Sequence, residues 1–166
     1  DVYKRQLLDE LPNEHQKLVG EVVPNQISVG GIQRILQNLL NERVSIRDLP
    51  TILEGISEAC AFTRNVTQLT EHVRSRLARQ ISEQNSTEDN FIPLVTLSAE
   101  WEQIFSDSIL DQGEDKQLSM APSQLQRFIG AVRTTLDELA DKEDPPVVLT
   151  SPTARPFVRS IIERFR

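Results

Sequence analysis

Acid–base and nucleophilic chemistry need a histidine, a cysteine or paired carboxylates held close together, and this chain offers few of them. Its two histidines are His15 and His72, and its one cysteine is Cys60. His72 falls beside an apolar helical stripe, where a partly buried structural imidazole is expected, whereas His15 falls in a polar helix start and reads as solvated. Cys60 follows Ala59 at an apolar helix end with no second cysteine at ligand spacing, so it reads as a core thiol and no metal site forms around it. Glu100 with Glu102 and Glu114 with Asp115 could share a proton. No apolar flank surrounds the second pair to lift a pKa, and both pairs read as solvated surface. Gly30-Gly31 precedes a helix without a Lys-Ser/Thr behind it or a strand in front, which points to close packing rather than a phosphate cradle. Ser151-Pro152, at a helix start after a strand, could hold an anion, but a capped crossover explains it as well. These groups assemble into no catalytic residues, no cofactor site and no metal centre, so the chain reads as non-enzymatic.

What remains is arginine. Arg34, Arg43 and Arg47 lie around a turn between two helices, and Arg74, Arg76 and Arg79 lie on the helix that follows. Arginine reads guanine and phosphate, so a winged-helix DNA-binding regulator is the alternative reading. Glu42, Asp48, Glu71 and Glu83 intersperse these arginines and leave each helix nearly neutral. That mixture suits protein interfaces, where guanidinium–carboxylate pairing sets register.

The elements that position these side chains follow from periodicity. Helix is predicted on Leu7, Leu8 and Leu11, and again from Leu18 to Val23, with a stop at Pro24-Asn25. Ile32, Ile35, Leu36, Leu39 and Leu40 fall on one helical face behind a Ser28 cap. Ser45 and Asp48 both qualify as the next N-cap. A start at Ser45 would place Pro50 deep enough to remove a helical hydrogen bond, so the helix starts at Asp48 and Val44-Ser45-Ile46 is a short extended connection. A long third helix follows Asn65 and buries Val66, Leu69, Val73, Leu77 and Ile81.

Residues 84–90 carry no apolar side chain and predict a linker. Beyond it come a buried strand over 91–97, a Ser98-capped helix with Trp101, Ile104, Phe105 and Ile109, and an acidic loop from Asp111 to Gln117. A helix starting near Pro122, a strand over Val147-Val148-Leu149-Thr150 and a helix from Ser151-Pro152 through Phe165 complete the pattern. The fold class is therefore mostly α with a small α/β unit. Residues 1–85 form a helical, winged-helix-like subdomain, 86–90 a linker, and 91–166 a small α/β subdomain that lacks at least one closing strand at its C-terminus.

Bulk properties narrow the function. The 166 residues carry a formal net charge of −7, which argues against a general nucleic-acid or acidic-membrane binder. Charge is uneven: −1 over 1–85, −9 over 86–154 and +3 over 155–166. A lone cysteine gives no sign of an oxidising compartment, so the sequons at Asn65 and Asn85 read as helix-end signals rather than glycan sites. No apolar run is long enough to span a bilayer. The chain opens on Asp1 rather than Met and reads as a piece of something longer.

Ser28-Val29-Gly30-Gly31-Ile32-Gln33-Arg34-Ile35-Leu36-Gln37-Asn38-Leu39-Leu40, Glu42-Arg43-Val44-Ser45-Ile46-Arg47-Asp48-Leu49 and Glu71-His72-Val73-Arg74 closely resemble the FlhA-type export-gate family (FHIPEP) of flagellar and type III secretion systems. So do Leu94 to Leu97, Glu100-Trp101-Glu102, Ser151-Pro152 and Arg155 to Phe165. Glu58-Ala59-Cys60 and the ending from Phe157 to Phe165 have the flagellar pattern. The opening Asp1 to Gln6 carries none of the resemblance and reads as foreign.

The resemblance implies the last two of four cytoplasmic subdomains of an integral inner-membrane protein, working at the cytoplasmic face of the bacterial inner membrane and touching the membrane only through an N-terminal region. It implies a nonameric ring and, as partners, export substrates, their chaperones and other export-apparatus proteins, with no cofactor and no nucleic acid. By motif match it places subunit contacts on Arg34, Gln37, Asn38, Arg43, Ser45, Arg47 and Asp48.

Overall fold

In a computed structural model, the described residues are 12–23, 25–113, 115–141 and 144–164. The helix expected on Leu7, Leu8 and Leu11, the stop at Pro24 and the terminal Phe165 lie outside them, as does the side chain of His15. The chain divides into two compact units, Asp1–Ile81 and Ser82–Arg166.

The first unit is helical: α1 (Asn13–Val22), α2 (Val29–Asn41), α3 (Leu49–Ala59) and α4 (Val66–Arg76), with α5 (Ala78–Gln84) running across the division. Local chemistry sets the starts of α2, α3 and α4. Ser28 Oγ accepts from the Gly31 amide at 3.1 Å, Asp48 Oδ1 from Thr51 at 3.2 Å, and Asn65 Oδ1 from Gln68 at 3.1 Å, each satisfying one orphan donor. Asp48 is thus the cap and Pro50 sits harmlessly in the first turn.

Ile32, Ile35, Leu39, Ile52, Leu53, Ile56, Leu69 and Val73 are buried together, with Cys60 at the margin as the expected core thiol. Close packing explains Gly31, where a Cβ would come within 2.5 Å of Ile27 Cγ1. At Gly55 a Cβ would meet Val73 Cα at 3.4 Å, so α3 and α4 approach at backbone distance.

Two details differ from the periodicity. Leu40, expected on the buried face, is 48% exposed. At about 100° per residue it comes roughly 80° round from Ile32, on the side away from Ile35. The long third helix breaks at Leu77 (φ −90°, ψ 12°), which stays buried at the bend while Gln80 Nε2 donates to the Ser45 carbonyl at 3.0 Å. Among its described residues this unit holds helices and no strand, so it supplies the helix-turn-helix part of the expected architecture without a wing.

The second unit runs β1 (Leu94–Thr96), α6 (Ala99–Ser108), β2 (Ile109–Gln112), β3 (Asp115–Leu118), α7 (Pro122–Glu138), β4 (Val147–Leu149) and α8 (Arg155–Ile162). β1 pairs parallel with β4, Leu94 opposite Val147 and Thr96 opposite Leu149. Its core is aromatic: Phe128 takes the edges of Trp101 and Phe105 at centroid distances of 5.2 and 4.9 Å, beside Val158, Ile161 and Ile162.

Here the corrections are larger. The expected acidic loop at Asp111–Gln117 is a hairpin, β2 against β3, turned at Gly113 with φ 73°. The strand expected over 91–97 is three residues long, and it is not buried: Phe91 is 71% and Leu94 50% exposed. Only the side carrying Val148 packs on the aromatic core, while Leu94 and Leu149 face outward. The last helix starts at Arg155 rather than Ser151, whose Oγ instead accepts from the Ala154 amide across a turn. Thr87 accepts from Asn90 and Phe91 while Asn90 takes φ 62°, which closes a tight turn.

Candidate functional site

The candidate surface is built on the C-terminal end of α2 and the connection to α3. After Asn41 the chain closes with Arg43 N–H donating to the Leu40 carbonyl and Val44 N–H to the Leu39 carbonyl, both at 2.9 Å. This is the Schellman arrangement, with Arg43 at the position that requires a left-handed backbone, φ 58°. Glycine takes that conformation freely; a residue with a Cβ pays about 1 kcal/mol for it. Val44 then packs into the core at 3% exposure and fixes where the connection begins.

The seven predicted contact residues separate into two groups. Arg34, Gln37, Arg43 and Arg47 are exposed. Among the described residues Arg34 and Arg47 have no ion-pair partner, and Gln37 bonds only along its own helix to Asn41 Oδ1 at 2.9 Å. The other three have internal work. Asn38 Nδ2 donates to Thr70 Oγ1 at 3.3 Å and ties α2 to α4. The Ser45 carbonyl is taken by Gln80 and its hydroxyl accepts from the Arg47 amide, while Asp48 caps α3.

The arginines of α4 are committed elsewhere. Arg74 Nη1 meets Glu42 Oε2 at 2.7 Å with both side chains only 16% exposed, a shielded pair across α4 and the end of α2. Arg76 lies 3.8 Å from Glu54 and 3.7 Å from Glu58 on α3. Glu58 also faces His72 Nε2 at 3.0 Å, and that hydrogen bond, the largest influence, holds its carboxyl below the ordinary value against the opposing effect of desolvation, with the Arg76 charge adding to it. His72 stacks edge-on with Phe62 at 5.5 Å, a structural imidazole as expected. Arg74 and Arg76 thus lie against carboxylates of the same unit.

In the second unit Glu102 leaves the solvated role expected for it. Its Oε1 accepts from Thr150 Oγ1 at 2.7 Å and from the Ser151 amide at 3.0 Å, joining α6 to the end of β4. Burial alone would raise this carboxyl, but the hydrogen bonds from Thr150 and Ser151 outweigh it and hold it below its ordinary value. The anion position foreseen near Ser151 is therefore filled from within the unit. Among the described residues no group of three or more histidines, cysteines or acids could hold a metal ion, and no helix is long and apolar enough to cross a membrane.

Sequence reasoning missed Leu40, the Glu42–Arg74 pair and the Glu102 bridge. An angular count along α2 would have found the first. The other two join residues far apart in sequence and leave no local signal.

Comparison with known proteins decides the lineage, since residues 3–166 match a single family throughout. The chain belongs to the FHIPEP family. The match begins at Tyr3, so most of the opening hexapeptide belongs to it and is not foreign. This FHIPEP chain is 52% identical over 162 residues to the flagellar biosynthesis protein FlhA of Caulobacter vibrioides, covering 98% of this chain and 23% of that protein. It spans about a quarter of the length of the curated relatives it matches. Among solved structures it resembles the nonameric EPEC SctV-C (TM-score 0.79, 28% identity, 96% of this chain and 48% of that one). It also resembles the Chlamydia pneumoniae complex of CdsV and CdsO (TM-score 0.84, 30% identity, 98% and 47%).

Proposed function

We propose that this chain is the last part of the cytoplasmic region of a bacterial protein-export gate, a non-enzymatic scaffold at the inner membrane whose subunits form a ring. In this reading residues 1–85 and 91–166 are its last two subdomains, joined through 86–90. The ring receives export substrates and their chaperones, and a further apparatus protein docks on it. One observation carries the reading: the resemblance to a nonameric relative extends over 96% of the chain. The resemblance to CdsV in complex with CdsO supports docking of an apparatus protein, and the 52% identity to a flagellar FlhA favours the flagellar branch.

Within the ring, Arg34, Gln37, Arg43 and Arg47 face the neighbouring subunit. Asn38, Ser45 and Asp48 hold the shape of that surface from inside. The test is Arg43→Glu combined with Arg47→Glu in the full-length protein. Motility and secretion are expected to be lost while the protein still accumulates in the membrane, and undiminished secretion would remove these arginines from the interface.

A further inference from the structure

We infer that the groove between α6 and the turn at residues 151–154 is a binding site for a lysine side chain carried on an extended segment of a partner protein. The groove has a volume of about 570 Å³ and lies wholly within the second unit, so it depends on no assembly of subunits. One wall is a single face of α6, on which Ala99, Glu102, Gln103 and Ser106 follow at i, i+3, i+4 and i+7. Trp101 and Phe105 of the same helix pack into the aromatic core instead. The other wall is the turn before α8, with Thr153 and the buried Ala154. Small residues on both sides keep the space open.

The lining chemistry selects the ligand. Glu102 Oε1 is taken by Thr150 and Ser151, whereas its Oε2 has no partner among the described residues. Gln103 gives its Nε2 to Asp107 Oδ1 at 2.8 Å, which leaves its own Oε1 as an acceptor. Ser106 and Thr153 add hydroxyls, and among the described residues no lysine or arginine lines the groove. Acceptors thus gather around one negative charge, within a segment, 86–154, whose net charge is −9. Such a site repels an anion and draws in a cation. A guanidinium forks best onto both oxygens of a carboxylate, and here one oxygen is already occupied. A compact ammonium with three donors suits one free carboxylate oxygen and neutral acceptors around it. Ala99, Ala154 and Ile109 supply an apolar bed for the aliphatic stem. The volume is that of an ordinary ligand pocket and exceeds one lysine side chain, leaving room for its neighbours in a peptide.

The probe is the blocked tripeptide acetyl-Ala-Lys-Ala-amide, titrated into the isotope-labelled chain and followed by amide chemical shifts. Shifts are expected at Gln103, Ser106 and Thr153 and not in the first unit. The same peptide acetylated on its lysine Nζ should bind at least about tenfold more weakly, because its charge-assisted hydrogen bonds are lost. Ser106→Leu fills the groove from an exposed position, and binding should fall while Trp101 fluorescence and the melting temperature keep their parent values. Butylamine carries the same ammonium without a peptide and should bind more weakly than the tripeptide; equal binding would assign the groove to small amines and overturn the peptide reading. Equal affinity for the acetylated peptide overturns recognition of the charge. Shifts that spread over the acidic surface or survive Ser106→Leu unchanged overturn the groove as the site, as does no shift up to about 10 mM peptide.

Discussion

The two units stabilise themselves by different means. The first packs a broad aliphatic core between helices close in sequence, caps the starts of α2, α3 and α4 with side chains, and pairs Arg74 and Arg76 with its own carboxylates. The second rests on a smaller core centred on three aromatic rings, two two-stranded sheets and a carboxylate bridge, under a strongly acidic surface. The lesson is that a near-neutral, well-buried helical unit can hold a few exposed cations in fixed positions, whereas the acidic unit has little core to spare for the loss of one ring.

The sharpest way to break the comparison is Phe128→Ala, expected to cost about 3–5 kcal/mol and to fall on the second unit alone. Trp101, the single tryptophan, reports that unit, so its fluorescence transition should move to lower denaturant while a later helical transition remains in far-ultraviolet dichroism. One merged transition would mean the units do not melt separately.

Next comes the shielded pair. Arg74→Ala strands the Glu42 carboxylate and should destabilise the first unit by roughly 2–3 kcal/mol, part of which Glu42→Ala restores in the double variant. Thermal melts of the three variants check this, and strictly additive losses would deny the coupling.

Glu102→Gln should cost the second unit about 1 kcal/mol near neutral pH. The folded-state pKa of Glu102 lies below its ordinary 4.5, so its contribution is present above that value and is lost as pH falls through the folded pKa. Acid titration of Trp101 fluorescence should therefore lose part of its slope in the variant. Smallest of all, Arg76→Ala should change the melting midpoint by no more than an equivalent of about 0.5 kcal/mol, because its pairs with Glu54 and Glu58 are long and solvated.

The sequence made the first unit legible because its signals are local. Ser28, Asp48 and Asn65 cap where short-range chemistry places them, and Pro50 alone decides between two helix starts. The break at Leu77 was hidden because no proline or glycine marks it. The second unit was less legible for physical reasons. The β2–β3 hairpin has apolar residues only at its open end, Ile109 and Leu110 on one strand and Leu118 on the other, so no alternation of apolar and polar residues announced it, and only Gly113 marked its turn. The apolar run at 91–97 looked buried, but a sheet of two strands has too few neighbours to cover both its faces. In the candidate surface the arginines were visible as types, whereas the division of the seven predicted contacts into exposed side chains and internal ties became clear only once Asn38 met Thr70 and Ser45 met Gln80.

The parallel pairing of Leu94 with Val147 has a temporal consequence, for the two partners lie 53 positions apart. Pairing of that range closes slowly, whereas the α3–α4 contacts of the first unit form between neighbours in the chain. At a synthesis rate of about 5–20 residues per second, the helical unit is complete on the ribosome seconds before β4 emerges to meet β1. During that interval the segment from 86 onward waits as an unfinished chain. Its excess of acids then serves as protection, since mutual repulsion keeps the waiting segment dispersed until its second strand arrives.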